Sequence, residues 1–73
     1  MTKTEVQEHA ERVLDKQGYD FFIACIDMNT LNELEAIDFN HPDYSDIKTW
    51  RLTESQWQNA IKLAIDYLKA EDE

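Results

Sequence analysis

The side chains able to do chemistry in this chain are almost all carboxylates. Asp and Glu number 16 against 7 Lys and Arg, with 2 His and 1 Cys, for a formal charge of −9 over 73 residues. The acids are unevenly placed. From Gln17 through Ile47 there is no Lys or Arg, yet the same stretch holds Asp20, Asp27, Glu33, Glu35, Asp38, Asp43 and Asp46. Uncompensated like charges repel, which favours solubility and opposes compaction. Such a stretch is either a solvated face or an electrostatic surface for a basic partner. On a helix, Glu35 and Asp38 would be i,i+3 neighbours about 5–6 Å apart, near the scale on which phosphates repeat along a nucleic-acid strand. Tyr19, Tyr44 and Trp50 lie near the acids and are of the type that anchors interfaces. Of these, Trp50 suits the core better than Tyr44.

Other chemistries are poorly supplied. Nucleophilic catalysis needs a Ser or Cys with a base held beside it. The bases are His9, beside Glu8, and His41, beside Pro42, and no strand–turn–helix elbow frames Ser45 or Ser55. Cys25 lies in the apolar run Phe21–Ile26 with no Lys or Arg near it in sequence. It reads as a small hydrophobe rather than a reactive thiolate, and a lone cysteine forms no internal disulfide. Zinc would want clustered His and Cys. A calcium loop over Asp43–Glu54 has acids at its first and last positions, but Lys48 stands where the loop needs Gly and Ile47 where it needs a ligand. No catalytic residue, cofactor or metal is therefore expected. Direct nucleic-acid binding and anionic membrane binding both rest on Lys and Arg, and are disfavoured.

The elements that would carry these acids are helices. A single Gly and a single Pro imply long regular segments with few turns. Thr2-Lys3-Thr4-Glu5, Thr30-Leu31-Asn32-Glu33 and Thr53-Glu54-Ser55-Gln56 each fit a capping box, in which a Thr hydroxyl and a Glu or Gln three residues on satisfy orphan backbone donors reciprocally. Val6, Ala10, Val13 and Leu14 follow the first box at helical spacing, and Gly18 is read as the left-handed residue that ends this helix. Leu34 and Ile37 follow the second, with an extension to Phe39. After the third, Trp57, Ile61, Ala64 and Leu68 form an apolar stripe widened by Ala60, Ile65 and Tyr67. Leu52 and Trp57 fit a hydrophobic staple, and Lys62 and Asp66 an i,i+4 pair. Residues 40–43 form a loop, because Pro42 disfavours a helical His41.

The resulting expectation is one all-α domain over 1–73, a compact bundle of three to four short helices, with residues 71–73 frayed at the unfavourable end of the last helix dipole. The alternative is a small α+β fold with a two-stranded hairpin from about 20–26 and 48–52, because a short apolar run can be helix or buried strand. A core this small seldom supplies more than about 3–5 kcal/mol, so a homodimer stays open. The first residues lead into a charged helix rather than an apolar leader, no apolar stretch approaches the roughly 20 residues that span a bilayer, and a reducing, cytoplasmic location is expected.

In size and charge the chain resembles small phage- or mobile-element-encoded inhibitors, including DNA mimics and anti-CRISPR proteins. That resemblance implies an acidic protein-binding module that occupies the basic cleft of a nucleic-acid-binding protein. Asp27, Glu33, Glu35, Asp38, Asp43, Tyr44 and Asp46 are the expected partner-binding residues. An alternative is a homodimeric structural or regulatory module whose interface is apolar. A second alternative rests on Glu5…Glu8 followed by Glu35…Asp38, a spacing similar to the paired acids of MazG-type nucleotide pyrophosphohydrolases, which would imply a magnesium-dependent hydrolase. It covers four positions. Acyl carrier proteins share the size and acidity, but Tyr44-Ser45-Asp46-Ile47 lacks their Asp-Ser-Leu attachment motif.

Overall fold

Helix starts in this protein are set by short side chains that reach back to the backbone. The computed structural model describes residues 2–71, and among these the chain forms five helices: α1 Lys3–Val13, α2 Lys16–Met28, α3 Leu31–Glu35, α4 Tyr44–Trp50 and α5 Glu54–Lys69. All three expected capping boxes form, on Thr2 with Glu5, Thr30 with Glu33 and Thr53 with Gln56. The fold is an all-α bundle. Its five segments exceed the three to four expected because α3 and α4 are short and irregularly joined, with 5 and 7 residues.

Two further caps explain where the sequence reading departs from the structure. Helix α1 does not run to Gly18. It ends at Val13, Leu14 is extended, and Asp15 caps α2 by accepting the Gly18 N–H at 2.8 Å. Gly18 thus lies in the first turn of α2 at a close approach, where a Cβ would stand 3.1 Å from Asp15 Oδ1 and 3.4 Å from Leu14 Cβ. Asp43 likewise caps α4, its Oδ1 accepting from the N–H groups of Ser45 and Asp46 at 3.0 and 3.3 Å. The hairpin alternative is therefore wrong on both strands, since residues 20–26 lie inside α2 and 48–50 inside α4.

The extension of α3 to Phe39 also fails. Asp38 turns the chain locally, its Oδ1 accepting the Asn40 N–H at 2.8 Å, a side-chain turn that competes with helix propagation. Phe39 instead packs edge-on against Trp57, with ring centroids 5.8 Å apart. Residues 40–43 form the expected loop.

Helix α4 ends in a Schellman pairing. The Arg51 N–H donates to the Lys48 carbonyl at 3.3 Å and the Leu52 N–H to the Ile47 carbonyl at 2.9 Å, which requires a left-handed residue between helix and exit. Arg51 takes that role at φ 58 and ψ 46. Leu52, buried in the same core cluster as Trp57, then stands one residue before the Thr53 cap of α5, the position a hydrophobic staple requires. Because a side chain in the left-handed region costs about 1–2 kcal/mol that Gly avoids, Arg51→Gly is expected to stabilise the fold by up to about 1 kcal/mol after its entropy penalty. A higher urea midpoint with an unchanged slope would record this, and a lower midpoint would mean that the Arg51 side chain contributes more than its backbone costs.

The core lies where α2 and α1 cross α5. Ala10, Phe22, Ala60 and Ala64 are fully buried, with Trp57, Ile61, Val6 and Leu34 nearly so. The alanines let α5 approach its neighbours closely, and α2 makes the most extensive of these contacts. Tyr19, Phe22 and Tyr67 form a ring cluster, with centroid distances of 5.8 and 6.0 Å. The chain's beginning is tied to the end of α5. Lys3 Nζ donates to the Tyr67 carbonyl at 2.7 Å and lies over its ring, and the Lys3 N–H donates to the Glu71 carbonyl at 3.2 Å. The rest of the 71–73 tail expected to fray lies outside the described residues. Lys62 sits over the Phe39 ring rather than pairing with Asp66, and on α1 Arg12 lies 3.9 Å from Glu8, one turn away. Among the described residues no helix is long and apolar enough to cross a membrane.

Candidate functional site

A cleft of about 500 Å³ opens between α2, the α3–α4 connection and α4, with α5 beneath it. Its apolar wall on α2 is Phe21, Ala24, Cys25 and Met28, an i, i+3, i+4, i+7 set that puts four side chains on one helix face. Leu34, Ile37 and Trp50 close the other sides, and Trp57 and Ile61 of α5 also line it. Trp50 is half-buried, with its ring 5.8 Å from that of Phe21. That contact holds α4 against α2.

Acids stand among these apolar residues. Asp38, Asp43 and Asp46 all line the cleft, together with His41, and no Lys or Arg does. Asp38 is fixed by two contacts, the Asn40 N–H and His41 Nδ1, which lies 2.8 Å from its Oδ2. The backbone hydrogen bond first, and the His41 contact second, hold its carboxyl below the usual range. Asp46 goes the other way. Partial burial pushes its carboxyl up, and the nearby Asp43 charge adds to this. Burial also pushes the Cys25 thiol up to about 12, with a smaller contribution from Asp46. The thiol is therefore protonated and unreactive at neutral pH, as its apolar run implied.

The Asp46 shift has a stability consequence. A carboxyl whose folded pKa is raised binds its proton more tightly folded than unfolded, so it weakens the fold as pH rises through that interval. Asp46→Asn is expected to raise the unfolding midpoint at neutral pH. The gain should vanish below the ordinary carboxylate range, where both states are protonated. A gain of equal size at both pH values would place the effect in packing rather than charge.

The partner-binding residues expected from sequence are only partly brought together. Asp38, Asp43 and Asp46 converge on the cleft. Asp27 is exposed on α2 and does not line it. Glu33 is engaged in the α3 capping box, accepting from both Thr30 N–H and O–H. Glu35 is paired with Lys69 of α5 at 3.4 Å. Tyr44 is 63 % exposed, its hydroxyl donating to Glu54 Oε1 at 2.8 Å. The sequence did not mark Ala24, Met28 or His41 as lining a partner site, though all three line the cleft. The spacing of Phe21, Ala24, Cys25 and Met28 could have marked the α2 face, but nothing local marks which element leaves that face uncovered.

Among the described residues no group of three or more His, Cys, Asp or Glu is placed to hold a metal ion. Of the paired acids, Glu5 completes the α1 capping box and Glu35 pairs with Lys69. Comparison of the chain with protein-family models, with curated proteins and with solved structures finds no match.

Proposed function

We propose that this protein acts by binding rather than by catalysis, as an acidic module that engages a protein partner through that partner's basic surface. In its specific form the partner is a nucleic-acid-binding protein, and the acids of α2 to α4 occupy the cleft that otherwise holds phosphates. One observation carries the reading. The Gln17–Ile47 segment has no Lys or Arg, and among the described residues its acids meet a basic side chain only where Glu35 pairs with Lys69 and Asp38 contacts His41 Nδ1. Asp20, Asp27 and Asp43 are exposed and have no cation partner among the described residues. Charge left uncompensated at the surface steers and selects a partner of opposite sign more than it stabilises a fold.

The test reverses charge where the fold does not use it. Glu33 and Asp43 are helix caps, so substitution there would confound folding with binding. Asp20→Lys with Asp27→Lys, both exposed on α2, is expected to reduce capture of a nucleic-acid-binding protein from nuclease-treated lysate by at least about tenfold, equivalent to about 1.4 kcal/mol. Capture by the unaltered protein should fall steeply as salt screens the contact. An equal loss from Glu8→Lys with Asp66→Lys, outside the acidic segment, would show that charge placement is irrelevant. A partner retained at high salt would refute the electrostatic reading.

A further inference from the structure

The proposed function leaves open where on the acidic segment a partner seats, and the cleft answers this. Its walls are apolar and its acids carry one sign. Asp38, Asp43 and Asp46 line it alongside Ala24, Ile37 and Trp50, with no Lys or Arg among the lining residues. A volume of about 500 Å³ falls within the range of about 300–1,000 Å³ typical of clefts that bury a ligand. A bulky aliphatic side chain would fill part of it and a neighbouring Lys or Arg would meet the acids. Asp46 is the informative member. Its carboxylate is partly withdrawn from water beside a second carboxylate, Asp43, with no cation near it among the described residues. Such a group gains more from an arriving cation than a solvated acid does, because water screens it less. Met28, 79 % exposed where α2 ends, also lines the cleft, and an unbranched thioether adapts to varied apolar shapes.

We infer that this cleft is the docking site for a basic, amphipathic peptide segment of the partner, whose aliphatic side chain enters between Ala24 and Trp50 while its flanking Lys or Arg pairs with Asp38, Asp43 and Asp46. The inference rests on the proposed function, since it names the chemistry of the segment that the acidic module receives. A purely electrostatic surface would accept any polycation. A cleft with this lining discriminates, because only an apolar side chain gains from leaving water.

Two short peptides separate these cases, one alternating Lys with Leu and one alternating Lys with Ser, each titrated into the full chain and followed by amide chemical shifts. The Lys-Leu peptide is expected to bind about tenfold more tightly, the equivalent of one well-buried aliphatic side chain, with the largest shifts at Ala24, Ile37 and Trp50. Ala24→Phe, which fills the cleft from a half-exposed position, should remove that preference and leave Lys-Ser binding unchanged. Asp38→Asn, Asp43→Asn and Asp46→Asn together should weaken both peptides, and Asn still caps α4 in place of Asp43. Helicity by circular dichroism checks that each variant is folded, and the shift map on the unaltered chain tests the location without any variant. Equal binding of both peptides, or shifts centred away from the cleft, would overturn the inference while leaving the acidic-surface reading standing. No binding of either peptide would overturn both.

Discussion

Phe22→Ala is expected to leave the protein largely unfolded at 25 °C. Phe22 is fully buried, and its ring is flanked by Tyr19 and Tyr67 at centroid distances of 5.8 and 6.0 Å, the second edge-on. Truncating a buried Phe removes its transfer free energy and leaves a cavity, together about 3–5 kcal/mol. Each aromatic contact adds about 0.5–1.5 kcal/mol beyond area alone. A single core in a chain of this length supplies about the same amount in total, so one substitution removes most of the margin. Phe22→Leu, which keeps most of the volume, should cost about 1–1.5 kcal/mol and remain folded. Far-ultraviolet circular dichroism with urea titration of both variants reads the difference. Comparable losses for Ala and Leu would place the effect in the ring contacts and not in the cavity.

Trp57 yields the second large effect, and here the two replacements should diverge. Its side chain is 2 % exposed, and its indole Nε1–H has no hydrogen-bond acceptor among the described residues. A buried donor without a partner costs about 1–3 kcal/mol. Trp57→Ala forfeits the apolar burial and the Phe39 contact and should cost about 3–5 kcal/mol. Trp57→Phe removes the orphan donor along with part of the ring, so loss and gain offset, and stability should stay within about 1 kcal/mol of the unaltered chain. Urea midpoints decide it. A Trp57→Phe penalty as large as that of Ala would mean that the N–H is satisfied in solution and contributes to stability.

The caps divide this chain into what is locally encoded and what is not. Thr2, Thr30 and Thr53 each start a helix because the hydroxyl and the partner side chain lie three residues apart, a geometry complete within one turn. The apolar stripe of α5 was legible for the same reason: Trp57, Ile61, Ala64 and Leu68 share a face through the helical repeat alone, and all are buried or half-buried. The buried, inert Cys25 followed from its apolar neighbours.

The boundaries that sequence reading misplaced are those where two local signals compete. Gly18 fits both a helix end and a close approach in a first turn, and the choice went to the cap on Asp15, whose carboxylate meets the Gly18 N–H. Residues 44–50 are too short to hold a helix alone, since nucleation is unfavourable. They are helical here with Asp43 capping one end and the Trp50 ring packed against Phe21 of α2 at the other.

The acidic segment follows the same rule. That the stretch from Gln17 to Ile47 lacks Lys and Arg is a fact of the sequence, and so is the charge surplus. Which of its acids face one cleft is not, because Asp38 comes from a turn, Asp43 from a cap and Asp46 from the first turn of α4. Their convergence depends on α4 lying across α2, and that packing comes from apolar contacts between residues far apart in the chain. Charge content is additive along a sequence, whereas its placement is decided by which surfaces the hydrophobic effect removes from water.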